Sequence, residues 1–165
     1  MKKISLVLGM LLAVGLLATS CKQPSDPDLS KEDLNETDWL VGTWEVTTEY
    51  DGDISYDGDV PEEIKKALEE NNKKSEPITI TRTVTAETAP AMKAELEGYI
   101  TMADAGETTV TQGESTMKSS VSVKINKDKT EIVVYTDGTV EMTENGANGA
   151  KATISMTTKQ TFSKK

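Results

Sequence analysis

Few residues in this chain can do chemistry. In 165 residues there is one cysteine, Cys21, one arginine, Arg82, and no histidine. Without histidine the commonest general base and metal ligand is missing. His-based triads are therefore out of reach, and a thiol nucleophile would have to be Cys21. Carboxylates abound, 28 of them, but no pair stands apart from the general acidity in the way that two-carboxylate glycoside chemistry requires. The reading is that the chain is not an enzyme and carries no cofactor.

Cys21 has a distinctive setting. Lys2 and Lys3 form a basic head, Ile4 to Ala18 is an uncharged, mostly apolar run, and Thr19 and Ser20 are small. That order describes a secretory signal peptide. The run is shorter than the ~20 residues a spanning helix takes. The stretch Leu17-Ala18-Thr19-Ser20-Cys21 resembles a bacterial lipobox. The resemblance implies cleavage before Cys21, a diacylglycerol on its sulfur and acylation of the new amino terminus, because stable anchoring takes more than one acyl chain. Residues 1–20 are then the signal peptide, and 21–29, polar and proline-bearing, a flexible tether. Residues 30–165 form a single folded domain.

Cleavage leaves 145 residues and, with Lys2 and Lys3 gone, takes the net charge from −10 to about −12. A domain of that size can bury a core. Its acidity disfavours nucleic acid. With no second cysteine, no disulfide can brace the fold.

Three groups are candidate sites. Arg82 alternates onto the same face as Ile78, Ile80 and Val84. A guanidinium among apolar neighbours needs a partner. It could clamp the carboxylate or phosphate of an amphipathic ligand, or serve the fold by pairing with a glutamate such as Glu144 or stacking on Trp44. Met92, Met102, Met117, Met142 and Met156 fall on inward positions, where methionine suits either an adaptable pocket or an aromatic-poor core. Asp51, Asp53, Asp57 and Asp59, in a repeated Tyr-Asp-Gly-Asp, are weak candidates for Ca²⁺, against the simpler reading of a solvated acidic turn.

The positioning elements are mostly strands. Ser30 and Asp33 read as a helix cap, and Thr37 to Val41 as a short turn. Thr43 to Tyr50 alternates as a half-buried strand. Asp51-Gly52 and Asp57-Gly58 are turn signals. Val60 to Glu70 is the clearest helix. Strands follow at 78–85, 92–102, 108–112, 117–125, 132–135, 139–144 and 152–162, with Asp137-Gly138 as a hairpin turn. About eight strands with one short inserted helix predict a mainly β fold, an antiparallel up-and-down barrel, with a two-sheet sandwich as the alternative.

Asp38-Trp39-Leu40-Val41-Gly42-Thr43-Trp44, placed just before this meander, resembles the start of a lipocalin-like domain of a small bacterial lipoprotein. The resemblance implies that Trp44 plugs the closed end of a barrel and that a small apolar or amphipathic molecule binds in the open end. Arg82, Trp44, Met102, Met142 and Met156 are then the ligand-binding candidates. The family often stacks an arginine from near its last strand on that tryptophan; here the strand offers Lys159 and Lys164. The functional expectation is a monomeric, lipid-anchored cell-envelope carrier, held in the outer membrane through Cys21. The alternative is a ligand-free envelope interaction lipoprotein acting through protein partners.

Overall fold

A computed structural model describes residues 26–72, 76–143 and 150–165. Cys21, Glu144 and the turn expected at 145–149 lie outside these residues. Six strands form one antiparallel sheet: β1 (Gly42–Asp57), β2 (Ile78–Val84), β3 (Thr108–Gln112), β4 (Ser115–Ile125), β5 (Glu131–Thr143) and β6 (Lys151–Lys164). Their spatial order is β2-β1-β6-β5-β4-β3. First and last strands pair, as do all consecutive strands but β2 and β3. The sheet is not closed, and β2 and β3 are its edges among the described residues.

Among the described residues the fold is mainly β as expected, with six strands rather than eight and two α-helices rather than one. Three local differences set the structure apart from that expectation, and the last two account for the counts. β1 runs through Asp51-Gly52 to Asp57 without turning, because β6 lies beside it along its length, from Trp44↔Lys164 to Asp57↔Lys151. Glycine at 52 suits a close approach rather than a turn: a Cβ there would sit 2.6 Å from Asn72 Oδ1. β5 likewise passes straight through Asp137-Gly138, since Gly138 is paired on both sides, with Met156 and with Ser119. A full ladder on each flank outweighs a local turn preference.

The third difference is the expected strand over 92–102, which is a helix. α1 spans Glu62–Asn71 and α2 spans Ala89–Asp104. Met92, Leu96 and Ile100 are buried on α2. A spacing of four fits a period of two and lies close to a helical repeat, so alternation alone was ambiguous. Pro90 in the first turn and the good helix formers from Ala91 to Glu97 favour the helix. The alternating positions that a strand would have buried, Ala94, Gly98 and Met102, are exposed.

The ladder puts even-numbered residues of β1, β2, β5 and β6 on one inner face, with odd-numbered residues of β4 beside them on β5. Both helices pack there. One core joins Trp44, Val46, Val84, Ile125, Ile132, Val134 and Phe162 to α2. A second joins Val140, Ala152 and Ile154 to Leu68 of α1, with Ile64, Met117, Met142 and Met156 partly buried around it. Ahead of β1, Ser30 and Asp33 cap each other reciprocally as expected, with Asp33 N–H donating to Ser30 Oγ at 3.3 Å and Ser30 N–H to Asp33 Oδ2 at 3.1 Å. The chain is tied to the sheet from Pro27, whose carbonyl accepts from Ile125 N–H at 3.0 Å, while Leu29 N–H donates to Val123 O at 2.9 Å. Among the described residues no helix is long and apolar enough to cross a membrane.

Candidate functional site

Trp44 lies near the start of β1. Its side chain is fully buried. Its indole N–H donates to Leu40 O at 2.7 Å, which satisfies the one polar group it brings inside. Trp39 meets it edge-on, ring centroids 6.4 Å apart and 70° between planes. Lys164, from the end of β6, places its ammonium 5.7 Å from the Trp44 ring and donates to Trp39 O at 2.7 Å. Lys129 sits 5.3 Å over Trp39 and 3.2 Å from Asp33. The Ser30 hydroxyl, helped by the Ser30 backbone N–H and then by Lys129, holds the Asp33 carboxyl below its usual range against the opposing effect of burial. Two indoles and two ammonium groups thus close this end of the sheet.

Arg82 faces Trp44 in the β1–β2 register and so shares its side of the sheet. Its guanidinium pairs with Glu95 of α2, both side chains about one-third exposed. The partner is a glutamate as expected, but Glu95 rather than Glu144, which lies outside the described residues. The signal for it lay in the helical spacing of Met92, Leu96 and Ile100, which puts Glu95 at the flank of the buried stripe. Stacking on Trp44 falls to Lys164 instead. Tyr99, also on α2, donates to Gln160 Oε1 at 3.2 Å. Burial, with Glu95 adding to it, raises the Tyr99 phenol.

Of the inward methionines, Met142 and Met156 lie around the second core with Met117, and Met92 is buried on the core side of α2. Met102 does not join them: it is 48% exposed near the end of α2. The Ile78 and Ile80 side chains, expected inside with Arg82, are 54% and 57% exposed on edge strand β2.

Asp51, Asp53 and Asp57 lie along one strand and Asp59 follows it; all four are exposed. No group of three or more acidic or thiol side chains able to hold a metal occurs among the described residues. Beside this strand an open cleft of about 320 Å³ is lined by Gly52, Asp53, Ile54, Glu69 and Asn72. Tyr56 borders the same helix, donating to Lys65 O at 3.3 Å, and its phenol is raised by burial and then by Glu69. Asp137, in mid-strand between Ser120 and Thr157, has its carboxyl raised by burial.

Comparison with protein families, curated proteins and solved structures finds no match for this chain.

Proposed function

We propose that this chain is a lipid-anchored cell-envelope lipoprotein whose domain acts through protein partners rather than by carrying a ligand. The observation that carries the reading is α2. Met92, Leu96 and Ile100 fill the inner face against Trp44, Val46, Ile132 and Phe162, so the chain's own side chains take up the interior at the Trp44 end. The polar groups a ligand would use are engaged as well, Trp44 with Leu40 and Arg82 with Glu95. Lipidation of Cys21 and anchoring in the outer membrane belong to the same proposal and rest on the leader and lipobox-like stretch. The barrel form of the reading, lipocalin-like, draws support from the pairing of first and last strands and from Lys164 over Trp44, where the resemblance places an arginine.

A second reading, the carrier, is favoured by one observation: the open cleft beside the methionine-bordered second core. Its size falls within the few hundred Å³ of small-molecule sites, but two of its five lining residues are acidic.

The test is the native mass of the full chain purified from a bacterial envelope. The interaction reading predicts the mass of residues 21–165 plus covalent acyl groups and nothing that organic extraction removes. A stoichiometric, extractable molecule would replace it with the carrier reading.

A further inference from the structure

The two edges of the sheet are guarded differently. β3 is five residues long and flanked by Glu107 and Glu114, with Glu107 3.8 Å from Lys118 of β4. β2 is seven residues long, Ile78-Thr79-Ile80-Thr81-Arg82-Thr83-Val84, and pairs with β1 alone among the described residues. Exposed edges are ordinarily blunted by charge, proline, a bulge or brevity, and Glu76-Pro77 stands just ahead of β2, but within the strand only Arg82 is charged. From Ile78 to Ala86 the chain has no carboxylate, in a protein with 28 of them, and its single cation, Arg82, is occupied by Glu95. Ile78 and Ile80 stand more than half exposed beside Val46 and Thr48.

We propose that β2 is a self-association edge, on which a second copy of this chain lays its own β2 antiparallel about a two-fold axis through Thr81. The proposal rests on the interaction reading above and gives it a first partner, in place of the monomer expected from the sequence. The strand is complementary to itself in that register. Thr79 faces the partner's Thr83, Ile80 its Arg82 and Thr81 its Thr81, while Val84, buried in the first core, lies outside the contact. Parity is kept, so the isoleucines stay on the inner face and the threonines on the outer one. Threonine pairs across strands are favourable, and one already exists within the sheet: the Thr47 and Thr79 hydroxyls are 3.0 Å apart. The local charge permits the approach. Two molecules of net charge −10 repel each other over most of their surface, but no acidic side chain lies on either copy's β2. A two-fold contact of this kind closes on itself, giving a dimer rather than a fibre.

The test uses the full-length chain carrying Cys21→Ser, so that Thr81→Cys supplies its lone thiol. Positions facing each other across antiparallel strands lie about 4.5–5.5 Å apart, within the span of a disulfide. Mild oxidation should give a covalent dimer, and the Thr109→Cys control on β3 should stay monomeric. Ile80→Lys faces a new cation with the partner's Arg82 at two symmetric places, and should weaken the dimer about tenfold by sedimentation. Because Ile80 is exposed, the variant should keep its circular dichroism and midpoint of unfolding. A chain that sediments as a monomer, or a dimer indifferent to Ile80→Lys, overturns the proposal. A monomer with no extractable cargo would do so while leaving the interaction reading intact. An extractable cargo would instead remove that reading.

Discussion

The two ends of the inner face are built on different terms. The Trp44 end buries large, rigid side chains completely, Trp44, Phe162, Leu34, Leu40, Leu96 and Ile132 among them, under a sixteen-residue helix. Its polar atoms are paired and its aromatic rings carry lysines. The α1 end has four buried residues, ringed by partly buried methionines and tyrosine under a ten-residue helix, with the open cleft at its side. One end can tolerate little change of shape, whereas the other is made of adaptable side chains. Stability should therefore reside at the first end, and any capacity to admit something foreign at the second.

The sharpest way to break this comparison is Trp44→Ala. It removes a fully buried indole and leaves Leu40 O without its donor, so urea denaturation should lose about 3–5 kcal/mol. Leu96→Ala should cost about 3 kcal/mol for the same reason. Met156→Ala, at the partly buried end, should cost about 1 kcal/mol. If the methionine variant proves the more damaging, the comparison is reversed. Arg82→Ala should cost less than about 1 kcal/mol, a loss that shrinks further in salt, since both partners are a third exposed.

Two carboxyls sharpen the account through pH. The Asp33 carboxyl is depressed in the fold, so its contribution is present above the ordinary carboxylate range and is lost as pH falls through its folded value. Asp137 has the opposite sign: its carboxyl is raised, so the folded state loses stability as pH climbs from the ordinary value through the raised one. Asp137→Asn should therefore stabilise the protein slightly at neutral pH, and Asp33→Asn should destabilise it. Thermal unfolding at pH 7 reads both signs.

Much of this was legible in the sequence. The Ser30–Asp33 cap, the turn at Trp39, α1, the start of β1 and the mainly β character follow from local pattern. The errors have physical causes. Asp137-Gly138 carries turn chemistry, but two neighbouring ladders hold it straight. Met92, Leu96 and Ile100 satisfy two periods at once, so alternation alone places Met102 in an interior that it does not enter. Ile78 and Ile80 alternate as core residues do, yet exposure also depends on whether a strand lies at the sheet's edge, which alternation does not encode. The Arg82–Glu95 pair required α2 to be read as a helix first.

The central claim is that the chain's own helix fills the inner face. Trp39 and Trp44 are its only tryptophans and both stand at that site. The most direct test is their emission in the full-length chain during titration with a long-chain fatty acid, read together with the melting temperature. The account predicts unchanged emission and an unchanged melting temperature. A saturable emission change with a rise in stability, about 2.7 kcal/mol at a hundredfold excess over the dissociation constant, would contradict it.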